Sequence, residues 1–225
     1  MQEILANLLH IFYETKLSNT MKKSINFKSL LLHTICIAGI VILASSCSEN
    51  NTTDSKDVAE QENIEKLSSD DQTIVVIDDD NGTKFLMEVA EMQMEEISLG
   101  KLAQEKGNSV HVKEFGKMMV TDHSKTLTEL SALAQSKAIS IPATITEDSK
   151  DVYGKLEDKA GNDFDTAYCD MMVEHHEDAI QLFERASTQS QDSEIKAWAA
   201  EKLAGLRTHL KHAKECKEKS DKMKS

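Results

Sequence analysis

Between residues 83 and 216 apolar side chains recur every three or four positions, in four separate runs. Phe85, Val89, Met92, Glu96, Leu99 and Ala103 trace the first stripe, which ends at Gly107. The second opens after Asn108 or Ser109 and runs to about 136 through Phe115, Met119, His123, Leu127, Leu130 and Ala134. Tyr168, Met172, His176, Ile180 and Phe183 mark a third, from about 163 to 187. The fourth starts behind Asp192 or Ser193 and carries Ile195, Ala199, Lys202, Leu206, His209, Ala213 and Cys216. Alternating steps of four and three keep side chains on one face of a helix, because 3.6 residues complete a turn. Four amphipathic helices of this length predict an all-α bundle covering residues 83–218, followed by a polar tail over 219–225.

The connections predict how the helices are strung. A few residues around Gly107 join the first two, and a few around Ser190 join the last two, so each pair is an antiparallel hairpin. Between the hairpins lie about 26 residues, KAISIPATITEDSKDVYGKLEDKAGN, enough to cross the bundle and to hold a short helix near 147–159. Two short loops around one long crossover between helices two and three predict a ferritin-like bundle, with up-down-up-down as the alternative.

The N-terminal residues follow another pattern. Lys22 and Lys23 follow Met21, then comes the apolar run SLLLHTICIAGIVILAS (29–45), then LASSC ending at Cys47. A basic start, a short apolar core and small residues before a cut are the parts of a signal peptide, and the run is too interrupted by His33 and Thr34 for a spanning helix. Because the small residues end on a cysteine, the stretch resembles a bacterial lipobox, which implies cleavage before Cys47 and lipid attachment to it; Ala44 stands where that pattern prefers Leu. An in-frame Met21 marks residues 1–20 as an over-long start. The expectation is an extracytoplasmic protein held by lipid at a membrane, at the periplasmic or surface face of a bacterial outer membrane. Residues 48–82 hold 11 acidic and 2 basic groups among Ser, Asn and Thr, and read as a flexible acidic tether.

Charge narrows the partners. The formal net charge of −13 over 225 residues repels phosphate backbones and excludes nucleic acid. With Cys36 in the signal and Cys47 carrying lipid, Cys169 and Cys216 remain, and outside the cytoplasm such thiols can pair or stay reduced.

Each predicted helix carries one ionisable group in its apolar stripe: Glu96, His123, His176 and His209. Counted from hairpin centres at 107 and 190, Glu96 lies 11 residues away and His123 16, while His176 lies 14 away and His209 19. The offset is five residues in both hairpins, about 7 Å of helix rise, and side chains leaning toward each helix N-terminus shrink it. Four groups at one level, facing an apolar interior, require compensation. A metal ion supplies it, and one carboxylate with three imidazoles suits Zn, Fe, Mn or Cu. A Glu–His hydrogen-bond network fixing helix register supplies it equally well. A copper site of softer ligands would draw on Met87, Met92, Met94, Met118, Met119, Met171 and Met172 with Cys169 and Cys216, although Met at helical spacing is ordinarily core filler. His175, His212 and His111 fall beside the stripes and read as surface residues.

Several chemistries are excluded by spacing. A di-iron centre of the ferritin type needs Glu three residues before His, and Val120, Val173 and Leu206 stand there. There is no Gly-x-Ser-x-Gly, no Gly-rich phosphate loop and no His-Glu-x-x-His, and the sequence displays no substrate pocket on which to base an enzyme.

The runs Glu96-x-x-Leu99-Gly100-Lys101-Leu102-Ala103, MMVTDHSKTLTEL (118–130) behind Phe115, FDTAYCDMMVEHHEDAIQLFE (164–184) and LAGLRTHLKHA (203–213) resemble the family catalogued as domain of unknown function 4142. Its members are commonly labelled exported or outer-membrane proteins, and the resemblance covers about 83–216. It implies a ferritin-like fold with recurrent polar positions at Glu96, Asp122-His123, His176 and His209, and identifies His176, not His175, as the aligned imidazole. Ala204 replaces a Pro that many members have, which implies a straighter fourth helix. The resemblance implies no established activity.

Overall fold

The computed structural model describes residues 54–69 and 80–224 of the chain, all within one compact unit, Glu49–Ser225. The signal peptide, Cys47, the segment 48–53 and the TIVVI run at 73–77 lie outside the described residues. Among these there are six helices and no strand: α1 (Ser55–Ser69), α2 (Asp80–Lys106), α3 (Val110–Ser136), α4 (Glu147–Glu157), α5 (Gly161–Gln189) and α6 (Ser193–Lys224). The expected all-α bundle is therefore present, built from α2, α3, α5 and α6. No helix among the described residues is long and apolar enough to cross a membrane.

Several helix starts have an identifiable cause. Asp192 accepts hydrogen bonds at Oδ1 from the backbone N–H of Glu194 and of Ile195, at 2.8 and 3.0 Å, satisfying orphan donors of α6. Thr146 caps α4 by accepting from Ser149 N–H. The turn before α3 is satisfied from outside: Asp165 of α5 accepts from the N–H groups of Asn108 and Ser109, both at 2.8 Å, which pins the first hairpin to the second.

Contacts fix the helix directions. Phe85, early in α2, packs on Phe183, late in α5, with ring centroids 5.2 Å apart, so these helices are antiparallel. Phe115 and Tyr168, both early in their helices, meet at 5.9 Å, so α3 and α5 run the same way. The chain must then return along the whole bundle between them, and it does so beside α2: Thr146 donates to Glu91, Ser149 to Glu95, and Lys106 reaches the carbonyl of Glu157. Gly100 and Gly116 let α2 and α3 approach closely, since a Cβ on Gly100 would lie 2.8 Å from the Gly116 carbonyl oxygen and one on Gly116 2.7 Å from that of Gly100.

Two stretches differ from the sequence expectation. Residues 55–69, read as part of a flexible tether, form α1 and lie against α2 and the crossover. Hydrogen bonds hold them more than apolar burial does: Asn63 and the Ser140 backbone exchange two bonds at 2.9 and 2.7 Å, and Lys56 pairs with Glu91 at 3.1 Å. Asp54 accepts from Lys56 N–H and Glu147 N–H, so one carboxylate serves the starts of α1 and α4. Among its described side chains α1 buries Ala59 and Asn63 and leaves Val58 and Ile64 exposed, which gives a hydrophobic pattern no stripe to reveal. Residues 219–224, read as a polar tail, continue α6, because Ser220 is buried against His111 at 3.1 Å.

Candidate metal centre

The core has three layers. At one end Leu99, Phe115, Phe164, Tyr168 and Met172 cluster with Cys169 and Cys216; at the other Phe85, Leu130, Leu182, Phe183, Ile195 and Ala199 do so. Between them sit Glu96, His123, His176 and His209, all buried.

The three histidines converge. One ring nitrogen from each lies within 4.8 Å of the other two, and the ring centroids are 5.2 to 5.6 Å apart. The other ring nitrogen of each is tied. His176 Nδ1–H donates to the carbonyl oxygen of Met172 at 2.8 Å, one turn earlier in α5. His123 Nδ1–H donates to Gln93 Oε1 at 2.8 Å, and His209 Nε2–H to Asp122 Oδ2 at 3.0 Å. A neutral imidazole has one N–H and one lone pair. Each tie therefore assigns the lone pair to the opposite nitrogen, and those three atoms, His123 Nε2, His176 Nε2 and His209 Nδ1, are the ones that are buried without a hydrogen-bond partner.

Glu96 stands beside this trio and does not join it within the same distance. Its Oε1 accepts from His175 Nδ1–H at 3.0 Å, and its Oε2 is buried without a partner, as is the Tyr168 hydroxyl. His175 is thus not the surface neighbour the sequence indicated; it lies between Glu95 and Glu96, 3.5 and 3.0 Å away. His111 is half-buried on Ser220 and His212 is exposed, both away from the trio.

Electrostatics set the protonation of this layer. Burial pushes the Glu96 carboxyl up, but the His175 hydrogen bond and the nearby imidazoles more than offset it and hold the carboxyl at about 2. Burial lowers His123 to about 3, against the opposing pull of Glu96, and burial also lowers His209 in spite of Asp122. Burial works to lower His175 too, yet its bond to Glu96 raises it overall. Glu96 is anionic at neutral pH, His123 and His209 are neutral, and His175 is the proton-holding partner.

The soft-ligand expectation does not survive the geometry. Cys169 and Cys216 are joined in a disulfide with Cα atoms 5.7 Å apart, so neither offers a thiolate, and Met119 and Met172 are fully buried in an apolar cluster. Sequence reasoning missed Gln93 as well. It placed Met92 in the α2 stripe, whereas Gln93 is the buried residue; its place three residues before Glu96 is the signal that could have found it.

The chain belongs to the family described as Domain of unknown function (DUF4142), whose family model matches residues 67–216. That span takes in α2, α3, α4 and α5 whole, α6 as far as Cys216, and the last three residues of α1. Comparison with curated proteins and with solved structures found no match.

Proposed function

We propose that this protein binds a first-row transition ion in the centre of its bundle, through His123 Nε2, His176 Nε2 and His209 Nδ1, with Glu96 as the neighbouring counter-charge. The observation that carries the reading is the convergence of three buried lone pairs, each on the nitrogen opposite an occupied one. An unsatisfied buried polar atom costs about 1–3 kcal/mol, so three at one point are expensive unless something fills the space between them. A tetrahedral ion with bonds near ~2.0 Å places its nitrogen ligands roughly 3.3 Å apart, within reach of small ring shifts from the separation present. The anchoring of each ligand's second nitrogen by a carbonyl, an amide and a carboxylate is the support that metal-bound imidazoles need. Among Zn, Fe, Mn and Cu, an all-nitrogen trio favours Zn or Cu and is least suited to Mn.

The ion would keep an open position for water or a small ligand. The setting we propose is extracytoplasmic, at the periplasmic or surface face of a bacterial outer membrane, with Cys47 lipidated and the protein handling metal or serving in envelope stress. The lipobox-like LASSC and the Cys169–Cys216 disulfide, which suits an oxidising compartment, support that setting. The reading is tested by elemental analysis of the full chain, purified without chelator or histidine tag, beside His176→Ala. Near-stoichiometric metal that disappears in the variant is the expected result. A protein that contains no metal and refuses added Zn, Cu, Fe and Mn would instead be a bundle with a polar core, and its role would lie in interaction with partners.

A further inference from the structure

The three histidines differ in how close they come to solvent. His176 is 1% exposed, His123 3% and His209 8%, and the Asp122 side chain beside His209 is 48% exposed. A cavity of about 250 Å³ opens between α3 and α6 on that side; His123, His209 and Asp122 line it, while His176 and Glu96 do not. Such a volume holds several waters, since one occupies about 30 Å³ in the liquid. Its lining carries the carboxylates of Asp122, Glu129 and Glu201 against the ammonium groups of Lys125 and Lys202. Lys202 is committed to Glu129 and to Glu201, the latter at 3.0 Å, and lies over the Trp198 ring. One wall contains Gly205, whose added Cβ would meet nothing within 4 Å. A glycine inside a 32-residue helix weakens that helix relative to Ala, and no close helix contact accounts for it there.

We propose that this cavity is the path by which a hydrated divalent cation reaches the histidine trio, with Asp122 as the carboxylate that receives it and Lys202 as the group that moderates its arrival. The inference rests on the metal-binding reading. A cation entering a dry bundle must shed water in stages, and a half-exposed carboxylate bonded to the outermost ligand offers the first replacement oxygen. Lys202, by holding Glu129 and Glu201, blunts the negative potential that would draw the ion in. Gly205 lines the passage and adds no side chain to that wall.

The experiment is stopped-flow uptake of Co(II) by the full chain, followed by release into excess chelator. Gly205→Leu is compared with Gly154→Leu, which adds the same bulk at another helical glycine with no neighbour within 4 Å, outside the cavity lining. Gly205→Leu is expected to slow uptake and release together by tenfold or more at unchanged equilibrium affinity, while Gly154→Leu leaves both unchanged. Lys202→Met, which keeps the aliphatic stem, is expected to speed uptake three- to tenfold at low salt, an advantage lost at high salt. Wild-type rates in Gly205→Leu overturn the path, as does slower uptake matched by weaker affinity with release unchanged, which would mean a distorted site. An unaltered rate in Lys202→Met overturns the moderating role of Lys202. Failure of the wild-type protein to bind Co(II) at equilibrium is a separate result, and it removes the metal site together with the path.

Discussion

The bundle's two apolar clusters and the polar layer between them are built by the same helices under opposite rules. In the clusters the residues fill space: Phe164 stacks on Tyr168 at 6.3 Å, and Phe85, Phe183 and Trp198 pack edge to face or tilted, so that the Tyr168 hydroxyl and Trp198 Nε1 are isolated polar atoms among apolar side chains. In the polar layer, packing leaves four buried atoms unsatisfied side by side, on Glu96, His123, His176 and His209. A cluster that gains stability from burial needs no ligand. A layer that loses stability by burial gains from a ligand that fills it, and that difference is what supports the metal-binding proposal.

The comparison breaks most openly if the layer is made to resemble its neighbours. Replacing His123 and His176 together by Leu should abolish metal binding in equilibrium dialysis, while the metal-free protein holds its stability or gains about 1–4 kcal/mol in urea unfolding. The reciprocal change, Phe164→Ala, should cost about 3–5 kcal/mol and leave metal stoichiometry intact wherever the protein is folded. Equal effects of the two changes on both readouts would erase the distinction. Reducing the disulfide, which spans 47 residues of sequence and lies within one apolar cluster, should remove about 2–4 kcal/mol with little change in metal affinity. Gln93→Leu sharpens the boundary: it removes the acceptor that holds the His123 tautomer, and should weaken metal binding about 10- to 100-fold with a small effect on folding.

The smallest effect is a slope against pH. His123 is depressed to about 3 in the folded protein, so the unfolded chain takes up its proton first as pH falls below 6.5. Stability from keeping this imidazole neutral is full above 6.5 and is lost between 6.5 and about 3. Glu96, held at about 2, contributes with the same sign, full above 4.5 and lost below it. His175, raised by Glu96, runs the other way: its contribution is full below 6.5 and lost as pH climbs through its raised value. Metal-free His123→Leu should therefore show a shallower loss of unfolding free energy between pH 6.5 and 4.5, by up to about 1.4 kcal/mol per pH unit. An unchanged slope would mean that His123 is not held neutral by burial.

Much of this was legible in advance, for reasons that can be read from single residues. The stripes through Phe85, Phe115, Tyr168 and Ile195 fixed four helices and their inward faces, because burial imposes a period of 3.6 on the sequence. Equal offsets from two short loops brought His123, His176 and His209 to one level, since rise per residue is constant. Acidic helix α1 escaped because it is held by Asn63, Lys56 and Asp54, whose hydrogen bonds leave no periodic trace.

What the sequence by itself determined is thus which residues face inward and at what height along the bundle, two quantities governed by local helix geometry. Which nitrogen of each imidazole is free, that Gln93 and Asp122 hold two of them, that His175 claims Glu96, and that Cys169 meets Cys216 were decided only by tertiary structure. Those outcomes depend on side-chain rotation and on partners from helices up to 87 residues away in the chain, and no periodicity encodes either.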